Sequence, residues 1–303
     1  MLIDKFQRWV TEPPPDHLFE LTELTLSGVS PRAPGQQRHE FLDERGLMAS
    51  PAAPNVLKPQ LYTEVLRRFA KSSGSKKAPA AAIVIPDYAV RMAILDFEQF
   101  PSSEEERLAL LRFRLRKSVP FHVDEAQLSY SIQFEEAKRL EVLAVAIARP
   151  ILSEYENIFT DAGFRVGVVA PSSLAALRLF GSAGEGLTLV AKSAGDTLSV
   201  LLIERGRVRL VRCLDFCANG ESNGVTVEEG VLSSLRQTVA YAEDQLGKPV
   251  SQLMLCGFGD ETDDVGSRAR TLLGIPYAPV RSKFGAATQA NAGMLGLLEF
   301  YSA

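Results

Sequence analysis

From residue 187 onward the chain runs through three short strand-like segments with tight turns: Leu187 to Ala191, Thr197 to Glu204 and Arg207 to Cys213, with Arg205-Gly206 as the second turn. A long amphipathic stretch, Val227 to Leu246, comes next. Its Leu232, Leu235, Val239, Ala242 and Leu246 share one continuous helical face, and Gly247 and Pro249 end it. Gln252 to Cys256 then reads as a strand feeding a glycine turn, Gly257-Phe258-Gly259. A β-meander, one helix and one strand ending in glycine make up a single α/β unit. At 303 residues the chain has room for about two domains of ordinary size.

The segment before it is also α/β. Ala81 to Ile85 is an apolar strand stopped by Pro86-Asp87, and Val90 to Phe97 is a second strand. Ser103 and Glu106 form a capping-box pattern, opening a helix with acids in its first turn and Arg112, Arg114, Arg116 and Lys117 in its last. That polarity complements the helix dipole and accounts for the basic cluster without a phosphate. Val119-Pro120-Phe121 ends the helix. Strands follow at Leu128 to Phe134 and Glu141 to Ala148, the second almost wholly apolar and so central in its sheet. A helix over Pro150 to Ala162, a strand over Arg165 to Ala170, and a helix opened by Pro171-Ser172-Ser173 and running through Phe180 complete this half. Gly181 to Gly186 is the expected boundary. Near the N-terminus, Leu18 to Ser30 reads as one or two strands, residues 31–59 as loop or meander, and Tyr62 to Ala70 as a helix. Beyond Gly259 we expect a helix through Leu273, a short strand, and an apolar helix from Ala286 to Tyr301.

Composition narrows the classes of function. With 33 Lys and Arg against 37 Asp and Glu, the formal net charge is -4, which gives no support to nucleic acid as the main partner. Three cysteines are too few for a disulfide-stapled scaffold and fit a reducing cytoplasm. The longest apolar run, Val142 to Ala148, is far short of the roughly 20 residues a membrane span needs. No cleavable signal is visible, because residues 1–10 lack an apolar core and run into Pro13-Pro14-Pro15. Leu2, Ile3, Phe6, Trp9 and Val10 do fall near helical spacing, suited to packing on the domain itself or to touching a membrane.

Catalytic constellations are poor. His17, His39 and His122 share no metal-ligand spacing, and Cys213 and Cys217 have no histidine near them, so both read as free thiols. Neither a nucleophile elbow nor a P-loop is present. Gly257-Phe258-Gly259 follows a strand and precedes a helix, but it lacks the third glycine of a dinucleotide fingerprint.

Taken in order, the stretches Ala82 to Arg91, Leu110 to Phe121 and Glu141 to Arg149, with Tyr155, Ala162-Gly163, Arg212 and Leu255 to Gly259, resemble the PilM family of type IV pilus assembly. The resemblance runs from about residue 81 to the end. It implies an α/β, actin-like fold of two ribonuclease H-like duplicated halves, with an inserted αβ subdomain in the first. The expected divisions are 1–180 for the first half with the insert at about 81–170, 181–288 for the second half, and 289–303 for a C-terminal helix returning to the first. By the same resemblance the protein is a cytoplasmic scaffold, peripheral to the inner membrane. It would bind the N-terminal tail of a PilN-like inner-membrane protein in a groove between the first half and the insert, with self-association as a further expectation.

Actin-like ATPases hold phosphates with two Asp-x-Gly hairpins, and both depart here. Leu18 to Leu26 contains none. At the second hairpin the aspartate position is Lys192, followed by Ser193, Ala194, Gly195, Asp196 and Thr197. Lysine reverses the charge beside the metal but can contact a phosphate directly. The candidate nucleotide-binding residues are therefore Lys192, Gly195, Asp196 and Thr197, with Gly257, Phe258 and Gly259 on the adenosine side. We expect a degenerate site in a non-enzyme; the alternative is an ATP-binding protein using ATP with magnesium as an assembly switch. A third reading, a tether of the FtsA or GspL type, would in the GspL case require a spanning helix after the actin-like body, and the chain ends at Ala303 without one.

Overall fold

In the computed structural model, which describes residues 14–72, 77–136, 139–181, 186–216 and 227–302, Leu18 to Ser30 holds two strands. They are β1 (His17–Leu21) and β2 (Thr25–Val29), a tight antiparallel hairpin. The stretch 2–10, Cys217 and residues 182–185 of the boundary lie outside the described residues. Within 31–59 a third strand, β3 (Arg38–Phe41), pairs antiparallel with β2. The helix α1 (Pro59–Ser72) then crosses over, and β4 (Ala80–Ile85) lies parallel to β1. Next come β5 (Arg91–Phe97), α2 (Glu104–Leu115), β6 (Gln127–Glu136), β7 (Arg139–Ile147) and α3 (Arg149–Asp161). After them β8 (Arg165–Pro171) pairs parallel with β4, giving the sheet order β3-β2-β1-β4-β8. From β8 the chain enters a single turn of helix, α4 (Ser172–Ala175), which tightens to a 3-10 turn over Ala176–Phe180.

The second half repeats this plan. Its elements are β9 (Leu187–Ala194), β10 (Thr197–Glu204), β11 (Arg207–Asp215), α5 (Val227–Leu246), β12 (Val250–Cys256), α6 (Thr262–Leu273) and β13 (Tyr277–Pro279). Its sheet order is β11-β10-β9-β12-β13, with β12 parallel to β9 and β13 parallel to β12. Strand for strand this is the order of the first sheet. Each half is an antiparallel three-strand meander followed by two parallel strands reached over helices.

Two expected boundaries are corrected. The insert is narrower than 81–170: Ala80–Ile85 and Arg165–Pro171 are strands of the first sheet, and the separate sheet β5-β7-β6 spans 91–147. Ala80–Ile85 is apolar because it is parallel and covered on both faces, not because it cores the insert, while Arg165–Pro171 is the edge strand and leaves Arg165 and Gly167 exposed. The final helix starts at Ala292, not Ala286, as α7 (Ala292–Tyr301). Ahead of it, Arg281–Ser282 and Gly285–Ala286 form a small hairpin, and Asn291 Oδ1 accepts from the Thr288 amide at 2.7 Å, turning the chain into the helix.

Side-chain alternation sorts the cores. On β1 and β4, Phe19, Leu21, Ile83 and Ile85 face α1 and α3, whereas Leu18, Ala82 and Val84 face the other way. On β9, Leu189 and Ala191 face the second half's own core with α5 and α6, and Val190 faces back toward the first half. The shared inner core contains Leu18, Val84 and Val190 together with Leu295 and Leu298 of α7, so the C-terminal helix is packed between α4 and β1. Gly296 allows that packing, since a Cβ there would lie 2.2 Å from the Ala175 carbonyl oxygen.

The insert is joined to the second half where two bulges meet. Gln133 is the unpaired residue of a bulge in β6, and Arg209 that of a bulge in β11. A bulge re-aims its side chain out of the regular alternation. Gln133 Oε1 accepts from the Val208 amide at 2.8 Å, while Arg209 grips Glu141 of β7 through Nε and Nη2, each at 3.0 Å. Arg209 Nη1 also donates to Glu204 at 2.5 Å.

Candidate functional site

The two half-domain hairpins can be matched by their own register. Glu20 pairs across to Ser27, two positions before Thr22 and Thr25 close the first turn. Lys192 pairs across to Ser199, two positions before Ala194 and Thr197 close the second. Glu20 and Lys192 thus occupy equivalent positions, and alternation turns both toward the opposite half. In an apolar strand such positions are buried. Glu20 and Lys192 are each 1% exposed.

A third charge joins them. Asp87 follows the apolar β4 at the carboxyl end of a parallel strand, the place where α/β sheets open a crevice. It is 4% exposed. Its Oδ1 accepts from the Ser173 amide at 2.8 Å and the Ser173 hydroxyl at 3.0 Å, and its Oδ2 accepts from the Ser199 hydroxyl of the second half at 2.6 Å. The Ser172 hydroxyl donates to Glu20 Oε1, and the Met294 amide, at the N-terminus of α7, donates to Glu20 Oε2 at 2.9 Å. A helix N-terminus favours a carboxylate, so Glu20 anchors the returning helix. Adjacent serines at the start of α4 hold the two acids side by side, and Lys192 lies in the field of both.

Protonation follows from this arrangement. Burial alone would depress the Lys192 ammonium, but the Asp87 and Glu20 charges outweigh it and hold its pKa above the usual lysine range. Burial pushes Glu20 upward, opposed by Lys192, the Ser172 hydroxyl and the Met294 amide. Burial raises Cys213 to about 12 and Cys256 to about 11, so both thiols facing this cluster stay protonated. Lys192 Nζ has no hydrogen-bond partner among the described residues.

The other predicted residues separate into two groups. Gly195 (φ +58°) and Asp196 form the turn of the second hairpin. The Gly195 amide donates to Gln289 Oε1 at 3.1 Å. Asp196 points away from the cluster to Arg45, at 3.4 Å, and Arg45 also reaches Glu23 of the first hairpin's turn at 3.0 Å. The two hairpin tips are therefore bridged by an arginine. Thr197 Oγ1 is used locally, donating to the Ala194 carbonyl. Gly257 (φ +80°) packs against the second hairpin so closely that a Cβ would fall 2.3 Å from the Ser193 carbonyl oxygen. Gly259 (φ +56°) turns the chain into α6, and Phe258 is buried in the second half's core. Gly195, Thr197 and Phe258 do line one cavity of about 350 Å³, with Phe216, Glu228, Glu261 and Asp264 also on its wall. Lys192 is not on that wall. Three carboxylates line this cavity, the wrong sign for a triphosphate. Sequence reasoning missed Glu20 and Asp87, and it read Ser172-Ser173 only as a helix start. The available signals were a single acid inside the apolar Leu18-Phe19-Glu20-Leu21 and an acid directly after the apolar Ala81 to Ile85.

No family model matches the sequence, and no curated protein sequence does either. Solved structures do match. A chain of a PilM-PilN type IV pilus biogenesis complex superposes with a TM-score of 0.75 at 16% identity, over 96% of this chain and 100% of that one. A protein of Bacteroides thetaiotaomicron described as having an actin-like ATPase fold and unknown function superposes with a TM-score of 0.56 at 15% identity, over 93% and 95%. The chain has an actin-like α/β fold similar to that of PilM. No helix among the described residues is long and apolar enough to cross a membrane.

Proposed function

We propose that the protein is a scaffold of a type IV pilus or related secretion machine, placed at the cytoplasmic face of the inner membrane. It takes the short N-terminal tail of a PilN-like inner-membrane protein at the seam between the first half and the insert. The observation that carries this reading is the likeness, over 96% of the chain and insert included, to a chain of a PilM-PilN complex. Capture of a peptide needs no catalysis, and the cleft floor carries a buried ammonium, Lys192, in the field of Glu20 and Asp87 instead of an open acidic site. The test is titration of a fluorescent PilN-type tail peptide with the full chain, read by anisotropy. Saturable binding that an unlabelled tail displaces supports the scaffold; no binding at high micromolar protein overturns it.

A second reading, an ATP-dependent assembly switch, draws on the size of the cavity beside Gly195, Thr197 and Phe258, at the lower end of ligand pockets, against the charge of its three carboxylates. Equilibrium dialysis against Mg-ATP separates the two. The scaffold reading expects no saturable uptake.

A further inference from the structure

We infer that Arg45 is a latch at the mouth of the cleft: it ties the tips of the two half-domain hairpins together and so shields the buried floor with no ligand in place. Arg45 belongs to the first half. Its Nη2 lies 3.0 Å from Glu23 Oε2, at the tip of the first hairpin, and 3.4 Å from Asp196 Oδ2, at the tip of the second. The tips lie against each other, since a Cβ on Gly195 would sit 3.8 Å from Glu23 Oε2. Packing of the halves thus brings two like charges together, and one guanidinium compensates both.

Local structure fixes the latch to one side. The next residue, Gly46, donates its amide to the Glu23 carbonyl at 2.9 Å, and its carbonyl accepts from the Leu57 and Lys58 amides at 2.9 and 3.0 Å. No side chain fits at position 46, because a Cβ would fall 2.5 Å from the Tyr62 ring, whose hydroxyl donates to the Thr22 carbonyl at 2.7 Å. Arg45 therefore stands on a rigid platform of the first half and reaches the second through Asp196. The second tip satisfies its own donor, the Gly195 amide, with Gln289 Oε1. Behind the mouth, the Asp87–Ser199 hydrogen bond and the shared apolar core join the halves in the dry interior. Those contacts resist salt, whereas Arg45 and Asp196 are each nearly half exposed, so screening reaches the latch. The mouth is the part of the closure that opens without unfolding either half.

Cys256 reports on the opening. It is buried in the core shared by the halves, and it stands beside Lys192 in the register of β12 with β9. The full chain, with neither peptide nor nucleotide, is treated with N-ethylmaleimide, and the rate of labelling at Cys256 is read by peptide mass spectrometry. At about 0.1 M NaCl, Arg45→Ala and Asp196→Asn label about two- to fivefold faster than wild type, the effect of losing one exposed ion pair. Raising NaCl to about 1 M shortens the screening length to about 3 Å, which speeds the wild type but not Arg45→Ala. The swap Arg45→Asp/Asp196→Arg restores the slow rate. Arg32→Ala breaks an exposed pair with Asp16 instead and leaves the rate unchanged. An Arg45→Ala variant that labels at the wild-type rate overturns the inference. So does a swap as fast as Arg45→Ala, which would reduce Arg45 to a packing element, and so does an equal acceleration by Arg32→Ala, which would trace the effect to overall stability. The latch is read without a partner, so failure of the tail peptide to bind overturns the scaffold reading and leaves this result as it stands.

Discussion

Arg209 offers the sharpest test of how the insert is attached. Its guanidinium, 8% exposed, is held by Glu141, 2% exposed, and by Glu204, 12% exposed, and it lies 5.2 Å from the Phe134 ring centroid. Removing one partner of a buried ion pair costs about 3–5 kcal/mol, because the other charge is left without compensation. Here each acid keeps a second cation. Arg139, half exposed, remains 2.8 Å from Glu141, and Lys248 remains on Glu204. Partners near solvent recover part of the loss, so Arg209→Met should destabilise the full chain by about 2–3 kcal/mol. Glu141→Gln/Arg209→Met, with no buried charge left alone, should lose no more than about 1 kcal/mol, a coupling that a double-mutant cycle reads directly. The measurements are urea unfolding and amide exchange across β6, β7 and β11. Loss of protection should concentrate at the bulges, around Gln133 and Val208. An Arg209→Met variant within about 0.5 kcal/mol of wild type, the scale of an ordinary surface substitution, would refute a bulge-to-bulge joint.

Two further outcomes follow from burial. Burial holds the His17 imidazole, packed among Phe19, Phe69 and Phe164, below its ordinary pKa; Asp16 opposes this and Arg32 and Arg38 add to it, while burial alone lowers His39. Between the lowered folded value and about 6.5 the unfolded chain binds more protons, so stability is full above that range and falls as pH drops through it. His17→Phe should flatten the decline in urea midpoint; a slope unchanged by the substitution removes His17 as its source. Gly296→Ala places a methyl against backbone, 2.2 Å from the Ala175 oxygen and 2.6 Å from the Ala176 Cα. It should cost about 1–3 kcal/mol in urea unfolding, the usual price of overpacking. Gly35→Ala, with nothing within 4 Å, is the control that should change nothing, and equal effects at both sites would contradict the close α4–α7 contact.

Much of the fold was legible because its signals are local. The meander and helix from Leu187 to Leu246 show their periods directly, and the Ser103-x-x-Glu106 pattern appears as a cap, with Ser103 Oγ accepting the Glu106 amide at 3.2 Å. The insert boundary was less legible because an apolar strand looks the same in either sheet. Only pairing assigns Ala80–Ile85 and Arg165–Pro171 to the first half. The cleft was least legible. Its charges come from positions 20, 87 and 192, and nothing local announces that Glu20 and Lys192 are equivalent until both hairpins have a register. Lys192 was identified from its place in the second hairpin, but the role expected there, contact with a phosphate, assumed an open site. The candidate turn residues Asp196 and Thr197 find neighbours instead, one at Arg45 and one at its own turn.

Duplication is what makes the charge balance at the cleft floor necessary. Each half points one residue of its first strand at the other, and packing against the partner half buries both. Two acids at the paired positions would need a cation between them; here an acid and a base stand at those positions, with Asp87 as a second acid acting on Lys192. A bound metal or nucleotide stabilises a closed arrangement in proportion to its concentration, so it can act as a signal. A cation attached through its own backbone has no concentration to vary, and a ligand-independent ammonium shifts no equilibrium between open and closed halves. The joint at Gln133 and Arg209 is made by other residues than that floor, so a peptide held at the seam of the insert would act on the insert rather than on the cleft.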